Sequence, residues 1–75
     1  MEMTKEYYRE YIGKKIATLR KDHGLSQAKL GEIAELDPAH IGRIELGRYN
    51  VGIDTIGKIA DALGYSVEFV KKENP

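Results

Sequence analysis

Apolar residues recur at intervals of three and four positions in four stretches of this chain, which is the spacing of a helix with one buried face. Polar residues and glycines separate the stretches, so the pattern predicts four helices with a shared core. The expected core positions are Tyr8, Ile12, Ile16 and Leu19; Leu30, Ile33 and Ala34; Ile41 and Ile44; and Ile53, Ile56, Ile59, Ala60 and Leu63.

Residues suited to helix ends stand at the borders of these stretches. The side-chain oxygens of Thr4, Ser26 and Asp37 can accept a hydrogen bond from an unpaired amide in the first turn of the helix that follows. Glycines that can end a helix in a left-handed turn follow three of the stretches: Gly24, Gly47 and Gly64. The second and third helices, at about residues 26–46, are joined by a corner of a few residues, which is the helix-turn-helix pattern.

The composition narrows the class of protein. We expect residues 1–75 to form one small domain that is only marginally stable as a monomer. The chain has no cysteine, and no apolar run approaches the ~20 residues of a membrane span. No signal peptide opens the chain, so we expect a soluble, cytoplasmic protein that does not contact membranes.

Catalysis and cofactor binding find no support in the sequence. His23 and His40 have no companions at the spacing of metal ligands. No Ser/His/Asp set, phosphate-binding loop or cofactor fingerprint is present. We therefore expect a protein that is not an enzyme and that uses neither a metal nor a cofactor.

The formal net charge is zero, which disfavours strong non-specific binding to nucleic acid, because phosphate neutralisation drives that binding. The charge is unevenly distributed along the chain. Residues 1–29 hold seven Lys and Arg against four Asp and Glu, whereas residues 30–70 hold three against seven. A locally positive face is therefore compatible with the neutral total.

The segments LSQAKLGEIA, DPAHIGRIELG and IGKIADALG resemble helix-turn-helix domains of the phage-repressor and Cro type, the XRE family. The similarity runs from about Ile12 to Gly64. It implies an all-α, compact, lambda-repressor-like domain of four to five helices. Three positions depart from the family pattern: Glu35 stands at the corner where glycine is common, Gly31 stands where alanine is usual, and Pro38 stands where a polar residue is common.

The resemblance also implies which residues contact double-stranded DNA. Ala39, His40 and Arg43 match positions that reach base edges in the major groove. Gln27 matches a glutamine that contacts phosphate, and the loop residues Arg48, Tyr49 and Asn50 match a segment that lies along the sugar-phosphate backbone. For Arg43 the alternative is a surface arginine that pairs with Glu45 or with solvent.

Two further residues match a structural pair in the family. Arg20 and Glu45 correspond to an arginine and a glutamate that form an ion pair, so we expect them to support the fold and not to contact DNA. Lys14, Lys15 and Lys21 on the first helix either contact phosphate or form an ordinary solvated face.

The tail at residues 65–75 changes period. Tyr65, Val67 and Phe69 alternate with other residues in a β-favouring segment, and a fifth helix is the alternative that the family suggests. We expect a strand that pairs with the same strand of a second copy, since backbone polar groups need partners. Tyr65, Val67 and Phe69 would then form the dimer interface. Tyr7 and Tyr11 are a second candidate for it.

The function that these features predict is sequence-specific DNA binding by a homodimeric transcriptional regulator, expected to be a repressor, at a two-fold symmetric operator. The alternative is an antitoxin-like or other protein-interaction subunit whose DNA binding serves autoregulation. In that case a protein partner would engage the tail or the N-terminal tyrosines.

Overall fold

The computed structural model describes residues 4–73, and these residues form four α-helices and no strand. In chain order the helices are α1 (Lys5–Asp22), α2 (Gln27–Ala34), α3 (Pro38–Glu45) and α4 (Ile53–Leu63). The predicted all-α class is confirmed. Within this described part, no helix has both the length and the apolar character of a membrane span.

Side-chain caps start the first three helices at the predicted residues. The hydroxyl of Thr4 accepts a hydrogen bond from the amide of Tyr7 at 3.2 Å. Ser26 caps α2 and Asp37 caps α3 in the same way, with donor–acceptor distances of 2.9 and 2.8 Å. The fourth helix follows Gly52 and has no side-chain cap, so its stability depends more on packing.

The core lies where all four helices meet. Leu30, Ile41, Ile44 and Ile59 are fully buried, and they come from α2, α3 and α4. Ile16 of α1 and Leu63 of α4 complete the buried apolar cluster. A fully buried aliphatic side chain contributes about 1.5–3 kcal/mol, and within residues 4–73 seven partly buried apolar residues pack against these six.

Three expected core positions are wrong. Tyr8, Ile33 and Ile53 keep 53%, 46% and 70% of their surface exposed. Tyr8 lies in the first turns of α1, before the half of the helix that packs on the core, and Ile53 is the first residue of α4.

The buried face of α2 is turned away from Ile33 because Gly31 faces the corner. A Cβ at Gly31 would lie 2.5 Å from the carbonyl oxygen of Leu36. Leu30, Gly31 and Ala34 therefore form the buried face of α2.

The corner between α2 and α3 is left-handed although it carries no glycine. Glu35 has φ 60° and ψ 46°, and the amide of Leu36 donates to the carbonyl of Gly31 at 2.7 Å. A left-handed conformation costs a residue with a Cβ roughly 1–2 kcal/mol. The departure from the family pattern at this position therefore introduces strain into the motif.

Helices α1 and α3 pack so closely that their backbones are in contact. A Cβ at Gly13 would collide with the carbonyl oxygen of Ile44 and lie 3.0 Å from that of Glu45. Gly47, which has φ 77°, lies against Glu10, whose Cα would be 2.9 Å from an added Cβ. Glycine at these two positions lets α1 fix the carboxyl end of α3.

The tail forms neither the fifth helix nor a strand within the single chain. Residues 65–72 have no regular secondary structure, although the amide of Tyr65 donates to the carbonyl of Ala60 at 2.8 Å and closes α4. Tyr65 and Val67 are about half exposed and border an apolar groove of about 250 Å³ between α1 and α4. Phe69 and Val70 are almost fully exposed. Pairing of the tail with a second copy stays a prediction, and its last two residues, 74 and 75, lie outside the described range.

The strain at the corner is testable. We expect Glu35→Gly to raise the free energy of unfolding by about 1 kcal/mol, because the relief of the left-handed strain exceeds the added entropy of the unfolded chain. Urea denaturation measures the change. Glu35→Ala is the matched control, since it removes the carboxylate but keeps the Cβ. An equal gain in both variants would assign the effect to charge and not to backbone conformation.

Candidate nucleic-acid interface

Helix α3 presents one apolar face to the core and a different face outward. Ile41 and Ile44 are 0% and 1% exposed, while Ala39 and Arg43 are exposed. The helical period requires this separation, because positions 39 and 43 lie one turn apart on the side away from the two isoleucines. We call the surface of Ala39, His40, Gly42 and Arg43 the outward face of α3.

The rings of His40 and Tyr49 meet at one edge of this face. Their centroids are 5.2 Å apart and their planes are nearly perpendicular, at 82°. His40 is half-buried, and its Nε2 finds no hydrogen-bond partner among residues 4–73. The loop residue Tyr49, predicted as a backbone contact, is thus in contact with a residue predicted to reach bases.

Arg43 does not pair with Glu45. Its guanidinium carbon lies 5.9 Å from the centroid of the Tyr49 ring, within the range of a cation–π interaction. The carboxylate of Glu45 is instead engaged by other residues, described below. The donors of Arg43 therefore remain on the exposed side of α3.

Gln27 lies across the start of α2 against α3. Its Nε2 donates to Oε1 of Glu45 at 3.0 Å. A Cβ at Gly42 would lie 3.4 Å from Oε1 of Gln27, so the small residue on α3 leaves space for this side chain. The predicted phosphate contact of Gln27 would be made by a side chain whose position is already restrained.

Arg20 and Glu45 meet in a two-bond ion pair between α1 and the end of α3. Nε of Arg20 donates to Oε2 of Glu45 at 2.6 Å and Nη2 donates to Oε1 at 3.0 Å. Nη1 of Arg20 also donates to the carbonyl of Leu25 at 2.8 Å. The two side chains are only 11% and 9% exposed, so the pair is largely removed from water.

Opposing effects act on the pKa of Glu45. Burial alone would raise the pKa of this carboxyl, but hydrogen bonds from Arg20 and Gln27 outweigh it and hold the pKa below its usual range. The hydrogen bond to Glu45 in turn raises the pKa of Arg20. Both groups are therefore charged at neutral pH, and neither is left without a partner in the interior.

The loop after α3 carries Arg48, Tyr49 and Asn50, which are not part of the Arg20–Glu45–Gln27 hydrogen-bond cluster. Arg48 and Asn50 are exposed. Tyr49 and Asn50 border a cavity of about 330 Å³ whose other walls come from α1 and α4, among them Tyr8 and Ile12. The loop thus lies between helices α1 and α4 on one side and the outward face of α3 on the other.

Leu46 has no predicted role, and Lys21 is predicted either to contact phosphate or to belong to a solvated face. Both border a shallow groove between α1 and α3, together with Gln27 and Arg43. Lys21 is exposed and close enough to Glu45 to lower the pKa of its carboxyl. Lys21 lies one helical turn after Ala17, which borders the same groove, and the sequence alone does not distinguish it from the other lysines of α1.

Comparison with known proteins identifies the family. Residues 16–70 match the HTH_3 family, described as helix-turn-helix. Over 62 residues, 83% of this chain, the sequence is 36% identical to the immunity repressor protein of Bacillus phage phi105. The chain belongs to the HTH_3 helix-turn-helix family. It spans 43% of the length of that phage protein.

Solved structures agree with this assignment. The restriction-modification controller protein C.AhdI from Aeromonas hydrophila is 34% identical and superposes with a TM-score of 0.75, covering 77% of this chain and 88% of that one. The clp gene regulator ClgR from C. glutamicum is 30% identical with a TM-score of 0.75, covering 79% and 76%. The predicted XRE relationship is confirmed, and HTH_3 proteins are DNA-binding transcription regulators and not enzymes.

In this HTH_3 chain, the stabilising role of the Arg20–Glu45 pair is testable. We expect Arg20→Met to lower the free energy of unfolding by ~3–5 kcal/mol, because the carboxylate of Glu45 is then buried without its partner. Arg20→Met combined with Glu45→Leu should recover much of that loss. Urea denaturation of both variants measures the changes.

The exposed pair Lys29–Glu32, with an N–O distance of 2.9 Å, supplies the matched control. Lys29→Met should change stability by less than about 1 kcal/mol, because solvent already screens that pair. An Arg20→Met variant as mild as this control would show that burial does not govern the Arg20–Glu45 interaction.

Proposed function

We propose that this chain binds DNA sequence-specifically as a homodimeric repressor at a two-fold symmetric operator, with α3 in the major groove. The observation that carries the proposal is the outward face of α3. It exposes a methyl group at Ala39 and a guanidinium at Arg43, while the opposite side of the helix is fixed in the core. In helix-turn-helix proteins the second helix of the motif reaches base edges with its amino-terminal part.

Arg43 provides most of the base discrimination in this proposal. A guanidinium can bond both acceptors on the major-groove edge of guanine, which is worth about 1–3 kcal/mol of discrimination. In the free protein the guanidinium of Arg43 lies next to the ring of Tyr49 and not next to a carboxylate. Arg43 therefore does not have to leave an ion pair when it binds DNA. Ala39 offers only apolar contact, which suits the methyl group of thymine.

Contacts to the DNA backbone fix the register. Gln27 lies beside Gly42 and Glu45 near the carboxyl end of α3, Arg48 follows that end along the chain, and Asn50 comes next in the loop. Lys21 adds a positive charge beside Gln27. With a net charge of zero, the chain neutralises few phosphates, so a single protomer binds weakly.

Weak half-site binding makes dimerisation necessary for tight binding. Each protomer raises the effective concentration of the other at its half-site, and half-sites one helical turn apart, about 34–36 Å, place both α3 helices on one face of DNA. The exposed Phe69 and Val70 support a dimer contact through the tail, since a single chain leaves these apolar side chains in water.

The repressor role rests on relatedness. The phage phi105 relative is named an immunity repressor protein, and a bound dimer can block other proteins from the DNA it covers. The cytoplasm is the compartment in which such binding would act.

A second function is favoured by the N-terminal half of α1. Tyr7 stacks on Tyr11 at a centroid distance of 6.1 Å and meets Tyr8 edge-to-face at 5.3 Å, and all three are exposed. A cluster of exposed aromatic rings suits a protein interface. An antitoxin-like subunit would use it for a protein partner and use DNA binding for autoregulation.

Selection from a random DNA pool tests the proposal and the role of Arg43. We expect the wild-type chain to enrich a two-fold symmetric sequence and Arg43→Ala to lose preference at one base position per half-site. Arg48→Ala is the matched control. It should weaken binding to all sequences alike and reduce the salt dependence by about one phosphate contact. Equal losses on selected and random DNA for Arg43→Ala would show that Arg43 contacts only phosphate.

Sedimentation locates the dimer interface. We expect Phe69→Ser to dissociate the dimer and lower operator affinity by orders of magnitude, while the helical content is kept because the side chain is exposed within one chain. Tyr11→Ser is the matched control and should remain dimeric. The opposite pattern would move the interface to the N-terminal tyrosines.

A further inference from the structure

Tyr49 occupies the junction between the scaffold and the outward face of α3. One side of its surroundings is the cavity bordered by Tyr8, Ile12 and Ile56 of α1 and α4. The other side is α3, where the ring meets His40 and Arg43. The ring therefore links residues proposed to reach bases to helices that take no part in base contact.

The geometry of both contacts is favourable. Nearly perpendicular rings with centroids 5.2 Å apart are a preferred arrangement for an aromatic pair. The guanidinium carbon of Arg43 at 5.9 Å lies within reach of the negative face of the ring. Arg43 and His40 are thus restrained by one common neighbour before any DNA is present.

We infer that Tyr49 is a positioning residue for base recognition, which acts through its ring on Arg43 and His40 and not through a hydroxyl contact to phosphate. A free arginine side chain has many rotamers and loses that conformational freedom when it is fixed against a base. Because the Tyr49 ring already restrains the guanidinium, Arg43 loses less conformational entropy when it binds DNA. This inference rests on the proposed function, and it changes the role that the family resemblance implies for Tyr49.

The two roles differ in which atoms they need. A phosphate contact needs the hydroxyl, contributes to every DNA sequence equally, and would be lost in Tyr49→Phe. A positioning role needs the ring, acts only where Arg43 discriminates between bases, and would be retained in Tyr49→Phe but lost in Tyr49→Leu. The pair of variants therefore separates the roles without removing a formal charge.

The test compares enrichment from a random DNA pool by the full-length wild-type, Tyr49→Phe and Tyr49→Leu chains. We expect Tyr49→Leu to lose about three- to tenfold of the discrimination at the base position that Arg43→Ala affects, in line with the strength of a cation–π contact. Binding to random DNA and its salt dependence should not change. Tyr49→Phe should restore wild-type selectivity.

A double variant excludes a general structural effect. In the Arg43→Ala background, Tyr49→Leu should cause little further loss at that base position, because the residue it positions is gone. Additive losses would overturn the inference. So would a Tyr49→Phe variant as impaired as Tyr49→Leu, or unchanged selectivity in Tyr49→Leu.

A measurement on the free wild-type chain keeps the inference testable if Tyr49→Leu does not fold. The Tyr49 ring should shift the side-chain proton resonances of Arg43 upfield of those in an unstructured peptide. Resonances at the unstructured values would overturn the inference. If the wild-type chain enriches no DNA sequence, the proposed function fails and the inference fails with it. Enrichment by wild type with unaltered selectivity in Tyr49→Leu refutes the inference alone.

Discussion

The geometry of the helix-turn-helix motif depends on the hydrogen bonds that the carboxylate of Glu45 accepts. It stands at the end of α3, accepts two hydrogen bonds from Arg20 of α1 and a third from Gln27 of α2, and so joins three helices at one point. A largely buried ion pair adds little net stability compared with apolar residues of the same volume. The ion pair matters more for geometry than for stability, because Arg20, Gln27 and Glu45 can form these hydrogen bonds only when the three helices hold these positions.

A second constraint acts on the backbone. Gly13 lets α1 touch the last carbonyl groups of α3, so the two helices cannot slide past each other without a collision. The ion pair fixes orientation and the glycine contact fixes distance. Together they hold α3 in place, and the loop that carries Tyr49 follows directly after it.

Local chemistry made most of the fold predictable, and tertiary packing explains the errors. Caps such as Ser26 and stops such as Gly47 act within a few residues, so the sequence is sufficient to place them. The prediction that Ile33 is buried is wrong because the buried face of α2 depends on Gly31 and the corner, and the spacing of apolar residues does not reveal that dependence. The family resemblance predicts the Arg20–Glu45 pair. The contact of Tyr49 with His40 and Arg43 depends on the conformation of a loop, and no rule based on residue spacing predicts it. The base and backbone contacts themselves stay predictions.

The division of α3 into two faces has a consequence for how this protein can change over generations. Ile41 and Ile44 hold the helix, whereas Ala39 and Arg43 fill no volume in the interior. Substitutions at the two exposed positions alter the chemistry offered to a ligand at almost no cost in foldability, since surface changes away from special features shift stability by only about 0.5 kcal/mol. Single mutations at these two positions can therefore change what this surface offers to a ligand while the interior that holds α3 stays the same.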